Sequence, residues 1–237
     1  MFARVCLIAS EVDQVLDWDS IDTVLLDMDG TLLDLHFDNH FWLEFVPQKY
    51  AELKGISLDE AKADCTAQTA EVAGTLDWYC LDYWTERLGM DIPELKEEVA
   101  HLINVLPDVT EFLDALAARG KRRVLVTNAH RKSLDLKMRK THLDQHLDCL
   151  ISSHDFGHAK EFDEFWPALQ QVEPFDPKRT LFVDDSLHVL KSAERYGIAN
   201  IVAITFPDSK QERRQVIDFI AIDGFAELLP GLVPSTN

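Results

Sequence analysis

From residue 106 onward the chain alternates between short runs of consecutive apolar residues and stretches in which apolar positions recur every three or four residues. Short runs bounded by turn residues read as strands buried on both faces, and the 3.6-period stretches read as amphipathic helices. On this basis Pro107-Asp108 opens a helix through Phe112, Leu113 and Leu116 that Gly120 stops, and residues 123–126 form a strand ending at Thr127-Asn128. A polar helix over 133–140 leads to a strand at Cys149–Ser152 and a helix over 162–172. A strand over 180–183 runs into Asp184-Asp185, Gly197 closes a helix at Leu187–Tyr196, and residues 201–204 form a last strand. With Thr23–Leu26 near the start, the pattern predicts an α/β fold built on a parallel sheet of at least five strands.

Between residues 34 and 106 the strand signals vanish and four helix signals replace them. Ser57-Leu58-Asp59-Glu60 matches a capping box, Gly89 fits a helix end, and Pro93 fits a helix first turn. The prediction is a core of residues 1–33 and 107–237 carrying an all-helical cap, residues 34–106, inserted after the first strand. Such a cap can fold over the sheet edge as a lid that excludes water and selects substrates.

Chemistry concentrates at the strand ends. The apolar run Val24-Leu25-Leu26 drives into Asp27-Met28-Asp29 and breaks at Gly30-Thr31. Two carboxylates so close repel each other unless a cation or a proton separates them, so the pair calls for a divalent metal, and one of them can act as a nucleophile. A calcium loop is excluded, because an EF-hand places a third oxygen ligand before its glycine; an acidic turn with no function remains an alternative for this segment alone. Parallel strands share direction, so Asp27 and Asp29, Thr127 and Asn128, and Asp184 and Asp185 all leave the same sheet edge, with Lys160 in the loop after the third strand. Taken singly, Thr-Asn is an ordinary turn, Asp-Asp-Ser can cap a helix and Lys160 can be solvated. Their convergence in register argues for one site.

Charge narrows the partners. With 23 basic and 42 acidic side chains the net charge is −19, which repels polymeric nucleic acid and acidic membrane surfaces. A small phosphorylated substrate stays compatible, since a bound cation and one lysine reverse the sign locally. The longest apolar runs fall short of the roughly 20 residues of a membrane span, and residues 2–9 are too weak for a secretory signal, so a soluble cytoplasmic protein is expected. Cys6, Cys65, Cys80 and Cys149 are scattered without a C-x-x-C pair, which argues against a zinc cluster or a disulfide framework. Two histidine pairs, His142 with His146 and His154 with His158, have ligand spacing but no obvious third ligand. His130 follows Thr127-Asn128 and is expected near the crevice in a structural role.

Asp27-Met28-Asp29-Gly30-Thr31, Thr127-Asn128, Lys160 and Asp184-Asp185 together resemble the four ordered motifs of the haloacid dehalogenase-like (HAD) hydrolase superfamily, with no departure at these positions. The resemblance implies a Rossmann-like core and a Mg²⁺-dependent aspartyl-phosphate mechanism. In it Asp27 is the nucleophile and Asp29 the general acid and base. Mg²⁺ is held by Asp27, the Asp29 carbonyl and Asp184, with Asp185 on a metal-bound water, and Lys160, Thr127 and amides near Met28 and Asn128 bind the phosphoryl oxygens. The stretches Phe37-Asp38-Asn39-His40-Phe41-Trp42, Leu76-Asp77-Trp78-Tyr79-Cys80-Leu81-Asp82-Tyr83-Trp84 and Val126-Thr127-Asn128-Ala129-His130 are similar to those of bacterial GMP/IMP nucleotidases, which implies a purine mononucleotide as substrate. This second resemblance runs from about Trp18 to Pro230, leaving the first ten or so residues outside it.

Base preference must then come from the cap. Asn39 and Trp78 are the candidate specificity residues; Phe41, Trp42, Tyr79, Tyr83 and Trp84 are further aromatic candidates, and Asp38 and Asp82 further polar ones. Metal-free haloacid dehalogenases typically lack the second aspartate, so Asp29 with Asp184 favours phosphate chemistry. A phosphonatase would need a cap lysine as a Schiff base, and Lys49, Lys54, Lys62 and Lys96 read as solvated helix faces instead. A sugar-phosphate phosphatase or phosphomutase and a non-catalytic interaction protein are the alternatives; the sequence identifies no protein partner.

Overall fold

The computed structural model describes residues 16–232, so the readings of residues 2–9 and of Cys6 lie outside the described residues. Six strands, β1 (Thr23–Leu26), β2 (Arg122–Thr127), β3 (Cys149–Ser152), β4 (Thr180–Asp184), β5 (Asn200–Ile204) and β6 (Ile220–Ile222), form one sheet in the order β3-β2-β1-β4-β5-β6. Every pairing among them is parallel. The chain steps outward from β1 to β2 and β3, then returns to the other side of β1 at β4. That reversal opens a crevice at the carboxyl ends of β1 and β4, where ligands of open α/β sheets bind.

Register explains why the acidic motifs meet. Leu26 pairs with Leu125 on one side and Val183 on the other, so Asp27 and Asp184, each one residue further on, leave neighbouring strands at the same height. The Asp27 N–H still donates to the Val183 carbonyl at 3.0 Å, so the nucleophile candidate begins on the sheet ladder rather than on a loop.

Helices cover both faces. On one, α7 (Val109–Ala118) and α8 (Arg131–Thr141) cover Val24, Leu26 and Leu125; on the other, α9 (Phe165–Val172) and α10 (Leu187–Tyr196) cover Leu25, Val124, Val126 and Phe182. The alternation within β1 follows from the two-residue period of a strand. The α9 helix begins at Phe165, three residues later than its apolar period suggests, because the chain around Lys160 forms turns instead.

Residues 34–106 carry α1 (His36–His40), a π-helical turn (Phe41–Phe45), α2 (Val46–Lys54), α3 (Leu58–Val72), α4 (Leu76–Tyr79), α5 (Leu81–Leu88) and α6 (Ile92–Glu98). The π turn has a local cause in Pro47, which lacks an N–H and crowds the carbonyl four residues back, and the wider turn absorbs that conflict without ending the helix. Ser57 caps α3 reciprocally with Glu60, and Asp91 caps α6 ahead of Pro93. The ends of the segment are tied together, with Leu33 bridging Val105 and the Leu106 N–H donating to the Leu32 carbonyl at 3.0 Å. The apolar cluster under α7 and α8 continues into this segment through Phe37, Phe41, Trp84 and Ile92.

Gly30 makes the turn that swings the chain from β1 into the helical segment. Its φ of +84° lies in the left-handed region, and an added Cβ would come within 2.9 Å of the Asp185 carboxylate and of Pro207. Gly30→Ala is therefore expected to cost about 1–2 kcal/mol from the backbone alone, plus the displacement of Asp185. Equilibrium urea unfolding measures this, and a wild-type midpoint would mean that the turn accommodates the methyl group.

Candidate active site

At the carboxyl edge of β1, β2 and β4 the structure brings Asp27, Thr127, Lys160, Asp184 and Asp185 to one half-enclosed cavity of about 550 Å³, whose walls also include Asp29, Asn128, Asn39 and Trp78. Its centre is Lys160, which is buried and donates from Nζ to Asp27 Oδ1 at 2.5 Å, to Asp184 Oδ2 at 2.7 Å and to the Val126 carbonyl at 3.0 Å. Burial alone would push this ammonium toward neutrality, but Asp184 and Asp27 outweigh it and hold its pKa above the ordinary lysine value.

The lysine is aimed by its neighbours. Its backbone N–H donates to Asn128 Oδ1 at 2.9 Å, the Asn128 amide donates to Glu161 Oε2 at 2.9 Å, and the Tyr79 hydroxyl donates to Glu161 Oε1 at 2.7 Å. Asn128 thus has both ends of its side chain engaged in shaping the Lys160 loop. Thr127 Oγ1 accepts the Ala129 N–H at 3.0 Å and retains its own proton to donate.

Asp27, Asp184 and Asp185 each offer a carboxylate oxygen within 4.8 Å of the other two. Burial pushes all three carboxyls up to about 6; Lys160 opposes the shift at Asp27 and Asp184, while at Asp185 the Asp27 charge adds to it and Arg214 opposes it. A cluster of hard oxygen donors with an excess of like charge suits Mg²⁺. Gly30 has no Cβ, and one there would lie 2.9 Å from the Asp185 carboxylate, so a glycine at this turn leaves the space beside Asp185 open. The donor set accommodates the metal.

Asp29 stands apart from this trio. Its Oδ1 accepts from Lys137 Nζ at 2.5 Å, and the same ammonium donates to Asp38 Oδ2 at 2.6 Å, while Lys96 Nζ donates to Asp38 Oδ1 at 2.8 Å. Burial raises the Asp29 carboxyl to about 6 against the pull of Lys137, whereas at Asp38 the two ammoniums overcome burial and hold the carboxyl near 2. Lys96, read from the sequence as solvated, is 2% exposed. Asp38 and the faces of Phe37 and Phe41, 4.7 and 4.6 Å from Nζ, replace the water it gives up. Lys137 escaped the sequence reading altogether. The available signal was its place on the inward stripe of α8 with Ser133, Leu134 and Met138.

The candidate specificity residues divide. Trp78, 39% exposed, and Asn39, whose Nδ2 donates to Asp208 Oδ2 at 2.6 Å, both line the cavity. Phe41 and Trp84 are core residues, and the Trp84 indole N–H donates to the Trp78 carbonyl at 2.9 Å, steadying that residue. Asp82 pairs with Lys132 at 2.6 Å, and Asp38 is fully engaged by lysines. His142 caps the end of α8 and His146 lies 2.7 Å from Asp114.

Residues 21–197 match the haloacid dehalogenase-like hydrolase family. The chain is 43% identical over 216 residues to the GMP/IMP nucleotidase YrfG of Escherichia coli K12, covering 91% of this chain and 97% of that protein. Among solved structures it is similar to a HAD phosphatase from Thermococcus onnurineus, with a TM-score of 0.75 at 24% identity over 89% of this chain and 97% of the other. It is also similar to the HAD-type protein YfnB of Bacillus subtilis bound to magnesium, with a TM-score of 0.60 at 19% identity over 90% and 98% of the two chains. The strand order, the motif residues gathered at one sheet edge and these matches agree that the chain belongs to the haloacid dehalogenase-like hydrolases.

Proposed function

We propose that this hydrolase removes phosphate from purine nucleoside 5′-monophosphates, GMP and IMP among them, in the cytoplasm, through an aspartyl-phosphate on Asp27 and with Mg²⁺ as cofactor. The observation that carries the reading is the pairing of two carboxylates at one cavity with separate ammonium partners, Asp27 with Lys160 and Asp29 with Lys137. One is thereby equipped to bond to phosphorus and the other to move a proton.

In the proposed reaction an Asp27 carboxylate oxygen attacks phosphorus in line and the bond to the ribose 5′ oxygen breaks. Asp29 gives its proton to that departing oxygen, then takes one from the water that cleaves the aspartyl-phosphate. Its carboxyl, raised to about 6 by burial, is close enough to neutrality to serve in both directions. Lys160, exchanging one of its three present acceptors, and the Thr127 hydroxyl donate to the phosphoryl oxygens as charge spreads over them, and Asn128 holds the lysine in place. Asp27, Asp184 and Asp185, with the Asp29 carbonyl, would hold Mg²⁺, which when bound supplies the positive charge that lets a phosphate dianion approach these aspartates.

Base recognition is assigned to Trp78 and Asn39. The indole offers a partly exposed face for stacking, and with its amide N–H₂ turned to Asp208, Asn39 has its carbonyl oxygen left to accept the N1–H that 6-oxopurines carry.

Three outcomes are expected. Asp27→Asn should lower phosphate release from both GMP and an aryl phosphate by about a thousandfold or more; turnover at the wild-type rate would remove the covalent step. Chelation by EDTA should abolish activity and Mg²⁺ should restore it, with Asp184→Asn needing more Mg²⁺ to reach half-maximal rate; activity indifferent to chelator would exclude the cofactor. Trp78→Ala should raise KM for GMP about tenfold, from the loss of about 1–3 kcal/mol of stacking, and leave KM for the aryl phosphate nearly unchanged. Equal effects on both substrates would take Trp78 out of base recognition, and a phosphate-release screen that favours sugar phosphates over mononucleotides would replace the substrate assignment.

A further inference from the structure

A second cluster of ligating side chains lies beside the same cavity, and no step of the proposed reaction uses it. Cys80 is the N-cap of α5, His130 the N-cap of α8, and His154 sits in the single 3₁₀ turn (Ser153–Asp155) that follows β3. One ligand atom from each, the cysteine sulfur and two imidazole nitrogens, lies within 4.8 Å of the other two. The two rings stand edge to face, centroids 5.0 Å apart and planes at 84°. Sequence spacing suggested His158 as the partner of His154; the fold supplies His130 and Cys80 instead, and His158 is exposed.

The surroundings of the three side chains suit a further ligand. Among the described residues His154 Nε2 is buried without a hydrogen-bond partner, and the ring's backbone contact is with Asn128. A buried imidazole nitrogen with no partner forfeits its hydration without return. Burial pushes the His154 pKa down to about 4, with the neighbouring His130 adding to the effect, and burial also lowers His130 against the pull of Asp82, so both rings are shifted toward the neutral form that metal ligation uses. The contacts that hold the other two are long: the Tyr83 N–H donates to Cys80 Sγ at 3.5 Å, the Lys132 N–H donates to His130 Nδ1 at 3.4 Å, and Asp82 Oδ2 lies 3.7 Å from His130 Nε2. A stronger ligand displaces contacts of this kind at little cost.

We infer that Cys80, His130 and His154 form a binding site for a borderline-soft divalent cation of the zinc class, separate from the carboxylates assigned to Mg²⁺. One thiolate and two imidazoles select such an ion over Mg²⁺, which prefers hard oxygen donors. Three protein ligands leave a fourth position for water or a small anion. Binding releases the Cys80 thiol proton to solvent. Because Cys80 belongs to the helical segment and the histidines follow β2 and β3, an ion here cross-links that segment to the sheet, and through His130 it stiffens the Thr127-Asn128 loop two residues away.

Cobalt(II) titration of the reduced, metal-stripped full chain, in excess Mg²⁺ to occupy the carboxylates, tests the site directly. One equivalent of Co²⁺ should produce thiolate-to-cobalt charge-transfer absorption that Zn²⁺ bleaches, and Zn²⁺ should raise the thermal midpoint. Cys80→Ser should remove the absorption, His154→Ala should weaken Co²⁺ binding by more than about tenfold, and Cys65→Ser and Cys149→Ser should leave both unchanged. No charge-transfer absorption in the wild type, or absorption that survives Cys80→Ser, overturns the assignment. If Cys80→Ser does not reach the wild-type circular dichroism spectrum, the wild-type cobalt spectrum together with His154→Ala decides.

Discussion

The Lys160 ammonium, placed between Asp27 and Asp184, is the interaction on which the rest of the site depends. Both carboxylates are buried at the end of a central strand pair, where an unpartnered charge costs several kcal/mol. The strand register forces them together whatever their chemistry, so the fold tolerates the pair only with a cation among them. Lys160 has a long reach and its own alignment problem, which Asn128, Glu161 and Tyr79 solve by fixing the loop that carries it. Tyr79 belongs to α4, so the helical segment that walls the cavity also sets the position of the cation at its floor.

A second set of charges, centred on two buried lysines, repeats the solution. Lys137 joins Asp29 on the β1 turn to Asp38 on α1, and Lys96 on α6 closes the set from the other side. Asp38 is the hinge of this arrangement: its carboxyl stays ionised because two ammoniums share it, and its position fixes α1 against α8. Phe37 and Phe41 bracket Lys96 with aromatic faces, so the same residues that extend the apolar cluster into the helical segment also stabilise a buried charge. The packing of the helical segment therefore bears on the charge environment of Asp29.

What the sequence made legible was what depends on local period. The five longer strands, the α7 and α10 helices and the gathering of acidic motifs on one edge follow from apolar runs, glycine stops and the shared direction of parallel strands. The edge strand β6 has three residues, too few for a period to register, and the π turn before Pro47 is a response to one residue in an otherwise regular helix. Lys96 and Lys137 were misjudged or missed because residue type suggests solvent, and only the fold shows which carboxylates and rings surround them. Cys80, His130 and His154 lie on three separate elements, so no spacing rule joins them.

The walls of the cavity bear on the choice between a nucleotide and a sugar phosphate. A sugar ring presents hydroxyls on every side and calls for a surround of free donors and acceptors, whereas a purine presents two flat apolar faces and a polar edge. The helical segment contributes Leu35, Trp42, Leu43, Pro47 and Trp78 to the wall. Two of its polar contributions are already engaged: the Lys62 ammonium donates to Glu44 at 2.7 Å and the Thr69 hydroxyl to the Cys65 carbonyl at 3.0 Å. A wall that is mostly apolar, with indole faces and few uncommitted polar groups, binds by stacking and excludes water well, and it discriminates poorly among hydroxyl patterns. That balance favours a base over a sugar ring as the group held opposite the phosphate, and leaves the fine choice among purines to the few polar side chains of the wall, such as Asn39.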